Sequence, residues 1–176
     1  AQQCSAGQLG IPVVYASRHG ELERTLELFQ AMARNEVMSP TTFGLSVLNA
    51  NVGLYSIARQ DTAATTALAA GNETFGFGLI EAWSRSQSSG QAVLYVYADT
   101  PPPPPLPCCP EDHAAIFAIG LLIDPAAKNQ IHCATEAATT TQPNTPHAQA
   151  LAFASLFEHS DTAEWSGGRR LWRWSH

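Results

Sequence analysis

The stretch ALAAGNETFGFGLIEAW, residues 67–83, decides how this chain can fold. Its first four residues are small and apolar, as in a short strand, Gly71-Asn72 is a turn pair, and the rest has a helical pattern. Several enzyme families place a nucleophile where a strand ends in a tight turn and leads into a helix, and that nucleophile is usually Ser or Cys. Here the turn offers Asn72, Glu73 and Thr74 instead. The turn therefore belongs either to an active site or to the remnant of one.

Strand and helix patterns alternate on both sides of this stretch. The predicted elements are a buried strand over residues 11–17, a helix over 21–35, a helix that starts at Pro40 with Ser39 as its N-cap, a strand over 62–70, a helix over 74–86 and a strand over 91–98. This alternation predicts an α/β layered domain with a mixed, largely parallel sheet packed by helices. A length of 176 residues fits one domain, residues 1–176.

The last third of the chain is less regular. Proline in TPPPPPLPCCP, residues 100–110, predicts a stiff surface loop, with a polyproline recognition motif as the alternative. Residues 113–123 and 131–136 are predicted to form an antiparallel pair around the turn 124–129. A short amphipathic helix is expected over residues 148–158, and RRLWRW, residues 169–174, is expected to be an edge strand.

Composition and charge exclude several classes of partner. Charged residues make up 14% of the chain, against about 25% in an average soluble domain, which indicates that much of the surface faces another protein. The net charge of −6 disfavours nucleic acid and anionic membranes as partners. No apolar run approaches the roughly 20 residues of a membrane span. Four cysteines without CxxC spacing are interpreted as reduced cytosolic thiols.

Motifs for metals and cofactors are weak. His19, Glu21 and Glu23 could bind a divalent ion, but acidic residues at a helix start are more often partners of the helix dipole. The segment GNETFGFG lacks both the GxGxxG pattern and the lysine of a phosphate-binding loop. No histidine lies in a recognisable hydrolase signature. The sequence therefore predicts no metal and no cofactor.

Three segments carry a family resemblance. SPTTFGLSVLNANVGLYSIA, residues 39–58, together with the strand-turn-helix of residues 67–82 and ASRHGELERTLELF, residues 16–29, resembles the N-terminal half of β-ketoacyl synthases of the thiolase-like fold. The resemblance covers about residues 11–98. It is strongest to the chain-length-factor-like subunits of aryl-polyene clusters. It also implies a further strand and helix before Ala1, which agrees with the helix-tail character of AQQCSAG.

The departures from the family pattern decide the implied function. The nucleophilic cysteine of a synthase falls at Asn72, or at Glu73 if the loop shifts by one residue, and neither forms a thioester. The second pair of catalytic groups, His with His or Asn, comes from a second half that this chain does not show. The resemblance therefore implies a non-catalytic, cytoplasmic subunit that pairs with an active β-ketoacyl synthase as a heterodimer and meets the acyl carrier protein only indirectly.

The same resemblance implies an interface around an acyl tunnel. The residues expected there are Asn72, Glu73, Thr74, Phe75, Phe77, Leu79, Phe43 and Asn49. In this hypothesis the bulk of Phe75 and Phe77 borders the partner's acyl tunnel and limits chain length. One alternative is an enzyme acting on acyl thioesters, as decarboxylase, hydrolase or 3-oxoacyl carrier-protein synthase, with Glu73 as base. Another is a plain interaction module without a tunnel.

Overall fold

The computed structural model describes residue 4, residues 7–104, residue 106 and residues 116–138, 147–158 and 160–176. The elements in chain order are β1 (Val13–Ala16), α1 (Leu22–Ala33), α2 (Pro40–Gly44), α3 (Ala50–Arg59), β2 (Thr65–Leu68), α4 (Thr74–Ser89), β3 (Val93–Asp99), β4 (Phe117–Ile123), β5 (His132–Ala137), α5 (Ala148–Ala154), β6 (Thr162–Ser166) and β7 (Arg170–Ser175). Single 3₁₀ turns over Gly71–Glu73 and Ser155–Phe157 lead into α4 and follow α5.

The first sheet has the strand order β2-β1-β3-β4. β1 pairs in parallel with both β2 and β3, and β4 closes the sheet antiparallel to β3. All four residues of β1 are buried, because α4 covers one face of the sheet and α3 the other. The predicted α/β class with a mixed, largely parallel sheet packed by helices is confirmed.

The second sheet is antiparallel and has the order β5-β7-β6. The prediction that RRLWRW forms an edge strand was wrong, because β7 lies between β5 and β6. Trp172 and Trp174 point from β7 into the main core and are almost fully buried, which is what places this strand at the centre.

The predicted antiparallel pair of residues 113–123 and 131–136 was also wrong. Both runs contain strands, but β4 pairs with β3 and β5 pairs with β7. Alternate residues of β4, from Phe117 to Ile123, pack against the core cluster under α4, and only the edge of β3 gives them that position. Residues 113–115 lie outside the described residues.

The helix predicted from Pro40 is in fact two helices. Ser39 is the N-cap as predicted, since its Oγ accepts a hydrogen bond from the Thr42 amide at 3.3 Å. The helix ends at Gly44, and the Ser46 hydroxyl donates to the Phe43 carbonyl at 2.8 Å, which favours the break. The chain resumes a helical path at Ala50.

Residues 105 and 107–110 of the proline-rich segment, and residues 1–3 and 5–6, lie outside the described part of the chain. The expected strand and helix before Ala1 therefore stay a prediction. Among the described residues, Cys4 and Cys133 are free thiols. No helix in the same residues is both long and apolar enough to cross a bilayer.

Helix α4 lies unusually close to the first sheet. A Cβ added at Gly78 would come within 2.7 Å of the Tyr95 ring and hydroxyl and within 2.9 Å of the Ala16 Cβ. The Tyr95 hydroxyl also donates to the Phe75 carbonyl at 2.7 Å, and burial raises the pKa of Tyr95 so that it keeps its proton. The absence of a side chain at position 78 is what brings helix and sheet into contact.

Two glycine substitutions test this contact. We expect Gly78→Ala to lower the free energy of unfolding by about 1–3 kcal/mol, because the added methyl group forces Tyr95 or the helix to shift. Gly53→Ala in α3 is the matched control, since nothing lies within 4 Å of a Cβ there and alanine favours helix by about 0.5–1 kcal/mol. Urea unfolding measures both. Similar effects of the two substitutions would contradict the close approach.

Candidate functional site

The turn between β2 and α4 is held together by a threonine. The Thr74 hydroxyl donates to the Gly71 carbonyl at 2.5 Å and accepts a hydrogen bond from the Ala70 amide at 2.9 Å. These local bonds stabilise the 3₁₀ turn that precedes the helix. Thr74, a predicted site residue, is therefore buried and serves the turn itself.

The two residues expected at the nucleophile position, Asn72 and Glu73, contact different partners. Asn72 is exposed, and its Oδ1 accepts a hydrogen bond from Arg18 Nη1 at 3.4 Å. Glu73 is buried, and its Oε2 lies 2.8 Å from Arg170 Nη1 at the start of β7. Neither side chain carries the thiol that a thioester requires, and each is engaged by an arginine.

Arg18 belongs to a polar cluster at the carboxyl ends of β1 and β3. Asp99 ends β3 with a fully buried carboxylate, which accepts hydrogen bonds from Arg18 Nε at 2.8 Å, the Ser17 hydroxyl at 3.0 Å and the His19 amide at 3.2 Å. Arg18 Nη2 also lies 3.0 Å from His19 Nε2. A buried carboxylate with three donors fixes Arg18 beside Asn72.

A small cavity of about 10 Å³ lies next to Asn72, which is room for about one water molecule. Its lining includes Arg18, Phe75, Tyr97 and His147. The Tyr97 hydroxyl lies 3.2 Å from His147 Nδ1, and burial, with a smaller contribution from the charge of Asp99, raises the pKa of Tyr97. The hydroxyl therefore stays protonated. The cavity is polar and cannot hold an acyl chain.

The predicted interface residues separate into three groups. Phe75 lies inside this chain's own core, with its ring centroid 5.6 Å from Tyr95, 5.7 Å from Tyr97 and 5.2 Å from Phe153. Phe77 and Leu79 are half-buried against the same core, and the Phe77 ring meets Trp172 edge-on at 5.3 Å. Phe43 and Asn49 are exposed in the α2–α3 region, away from the turn in sequence. Asn72 to Phe75 are brought together by the turn.

Several residues that shape the site were not predicted. Arg18 and Asp99 follow or end parallel strands, and polar residues at the carboxyl ends of such strands are a general signal of a site. Gln149, whose Oε1 accepts a hydrogen bond from the Gly76 amide at 2.8 Å, and Arg170 carry no such signal. The contact between Gln149 and Gly76 spans 73 positions in sequence, and the contact between Arg170 and Glu73 spans 97. Both contacts form only when the chain folds, so no local pattern could indicate them.

The structure shows what Glu21, one of the candidate metal ligands, binds instead. Glu21 is occupied by neighbours, since its Oε1 accepts from Asn51 at 2.7 Å and its Oε2 from Arg24 at 3.0 Å. Among the described residues, no group of three His, Cys, Asp or Glu side chains is arranged to hold a metal ion.

Removal of Arg18 tests the polar cluster. Arg18→Met leaves the buried carboxylate of Asp99 without its cation, so we expect a loss of about 3–5 kcal/mol in the free energy of unfolding. Arg34→Met is the control, because Arg34 and Glu36 are 3.8 Å apart and both more than half exposed, and it should change stability by less than about 0.5 kcal/mol. Thermal and urea unfolding of both variants provide the measurement. A small effect of Arg18→Met would contradict the anchoring role of Asp99.

Comparisons with known proteins agree with this geometry. The family model for the β-ketoacyl synthase N-terminal domain matches residues 1–175. Among solved structures, the chain matches a chain of the complex of the ketosynthase ApeO with its chain length factor ApeC from Xenorhabdus doucetiae, with a TM-score of 0.85 and 30% sequence identity. That match covers 96% of this chain and 71% of the other. No curated protein sequence matches.

The resemblance that residues 39–58 and 67–82 carry is thus confirmed, and it extends well beyond residue 98. The thiolase-like ketosynthase fold accounts for the strand, turn and helix at Asn72. The chain belongs to the β-ketoacyl synthase family, whose N-terminal domain it matches over almost its whole length.

Proposed function

We propose that this chain is a non-catalytic subunit that pairs with an active β-ketoacyl synthase and acts as its chain length factor during elongation of a polyene or fatty acyl chain. The observation that carries the proposal is the turn itself. By our assignment the family's nucleophile position falls at Asn72, or at Glu73 if the loop shifts by one residue, and both side chains bind arginines. Asn72 also borders a cavity with room for about one water molecule. The match to a chain of a ketosynthase–chain length factor complex supports the same role.

Condensation has requirements that this turn does not meet. A thiolate must hold the acyl chain, and donors must stabilise the charge that develops on decarboxylation. An amide at position 72 cannot form the thioester. An acyl chain would also need space beside the turn, where Phe75 and Tyr97 fill the volume.

The alternative, in which Glu73 acts as a base on an acyl thioester, is not favoured. Its carboxylate lies against Arg170 of the second sheet, and the Gly167 backbone covers its stem, with a Cβ placed there only 3.3 Å from Glu73 Cγ. A general base must come within hydrogen-bond reach of the proton that it removes. The Glu73 side chain is buried against Arg170, whereas Asn72 is exposed to solvent.

The surface offers an apolar interface for a partner. β2 is an edge strand of the first sheet. A strand of a partner subunit can pair with such an edge and extend the sheet. Large apolar side chains are exposed on α1 to α4 and on the segment between α2 and α3; they are Phe29, Met32, Phe43, Val47, Leu54, Ile57, Ile80 and Trp83. Exposed side chains of this kind are typical of subunit interfaces. We infer that Phe43 and its neighbour Asn49 contact the partner directly, whereas Phe75, Phe77 and Leu79 shape the interface from beneath.

Most basic side chains of this chain are already paired with other groups of the chain. The structure describes all nine Lys and Arg residues of the chain. Seven of them bind carboxylates or backbone carbonyls; these are Arg18, Arg24, Arg34, Arg59, Arg85, Arg170 and Arg173. Within the described chain, Arg169 and Lys128 are the two without such a partner, and they do not form a patch. The carrier protein is therefore expected to bind the synthase and to meet this subunit indirectly, in the cytoplasm.

Co-expression with a candidate ketosynthase tests the proposal. We expect the two chains to co-elute as a heterodimer on size exclusion and the complex, but not this chain alone, to elongate acyl groups on carrier protein. Mass spectrometry of the products gives their length. A chain that stays monomeric beside every ketosynthase and turns over acyl carrier protein by itself would contradict the proposal.

The exposed face of α4 can be tested separately. Trp83→Glu would place an unpaired charge in the interface, so we expect at least tenfold weaker binding to the ketosynthase. Phe157→Glu is the matched control, because Phe157 follows α5 and is similarly exposed, 59% against 56% for Trp83. Surface plasmon resonance measures both affinities. Equal effects of the two substitutions would place the interface elsewhere.

A further inference from the structure

The hairpin of β6 and β7 meets the start of α4 through a charged and aromatic contact. Arg170, the first residue of β7, lies 2.8 Å from Glu73, and its guanidinium carbon is 5.1 Å from the centre of the Phe77 ring. One arginine thus holds the residue before the helix and a residue in its first turn. Glu73 is 9% exposed as a side chain, so the ion pair is shielded from solvent at that end.

Two glycines in the turn of this hairpin allow Arg170 to reach Glu73. Gly168 has φ +84°, which favours glycine, and the Gly167 amide donates to the Arg170 carbonyl at 3.0 Å to close a tight turn. A Cβ at Gly167 would lie 2.5 Å from the Trp165 ring and 3.3 Å from Glu73 Cγ. A side chain at position 167 would clash with Trp165, so glycine is needed there for the hairpin to bring Arg170 next to Glu73.

The start of α4 has little support of its own. Glu73 occupies the N-cap position but makes no side-chain hydrogen bond to the helix. The first amides of a helix have no partners within the helix, and here the Gly76 amide is satisfied by Gln149 of α5. The first turn of α4 is therefore fixed from outside, by Arg170 of the second sheet, Gln149 of α5 and Tyr95 of the first sheet.

We propose that Glu73 and Arg170 form a clasp that positions the first turn of α4, and with it Asn72 and the exposed helix face, for recognition by the partner synthase. The second part of this inference rests on the proposed function; the first concerns this chain alone. Glu73, which stands next to the lost nucleophile, is then a positioning residue. In this proposal the second sheet holds the turn in its synthase-like shape although the turn carries no catalytic cysteine.

Hydrogen exchange of the isolated chain tests the clasp. We expect Glu73→Gln and Arg170→Gln to speed the exchange of the amides of residues 75–77 about three- to tenfold, since each removes a charge-assisted hydrogen bond. Arg170→Lys keeps the cation and should change the rate by less than about twofold. Glu81→Gln is the matched control, because Glu81 forms a partly exposed pair with Arg85 later on the same helix and its loss should leave the rate unchanged.

The same four variants are then titrated with the ketosynthase that binds the wild-type chain. The clasp predicts that affinity falls for Glu73→Gln and Arg170→Gln, recovers in Arg170→Lys and is unchanged in Glu81→Gln. Exchange in Glu73→Gln equal to that in Glu81→Gln would overturn the clasp. Faster exchange with unchanged affinity would overturn its role in recognition. If no ketosynthase binds the wild-type chain, the proposed function fails, while the exchange result still decides the clasp.

Discussion

The structure depends on the close contact between α4 and the sheet beneath it. Gly78 lets the helix approach β1 and β3 until the Tyr95 hydroxyl reaches the backbone of Phe75. On its opposite side the helix meets the second sheet at Gly76, where a Cβ would lie 2.7 Å from Trp172. Two glycines two residues apart thus let one helix fit between two sheets. The turn that precedes the helix is fixed in space by this double contact.

In an active synthase this rigidity would serve a nucleophile, and in the proposed role of this chain it serves packing and partner binding. The turn contains a buried threonine and 3₁₀ geometry and leads into a helix, while Asn72 and Glu73 are held by arginines from two different parts of the chain. A preorganised turn is useful to a partner even without chemistry, because binding does not then have to order it. The proposed loss of catalysis and the retention of the fold are thus compatible in physical terms.

Local patterns were sufficient for the central elements of the fold. β1, β2, α4 and β3 follow from short apolar runs, a turn pair and helical spacing, which are properties of neighbouring residues. The partners of β4 and β5 did not follow, because an apolar strand does not specify which edge it will join. For the same reason the inward direction of Phe75 was not foreseen, since it depends on where the two sheets lie relative to the helix. Arg170 beside Glu73, 97 residues apart, had no counterpart in any local pattern.

The four tryptophans of the chain occupy two contrasting environments, which gives the protein a built-in optical probe. Trp165, Trp172 and Trp174 lie in the second sheet and are at most 5% exposed, whereas Trp83 on α4 is 56% exposed. Red-shifted indole emission from the folded chain therefore comes from Trp83, and iodide should quench that component first. Burial of α4 against another subunit would shift this component to the blue, while unfolding would shift the other three to the red. Association and unfolding thus move the spectrum in opposite directions.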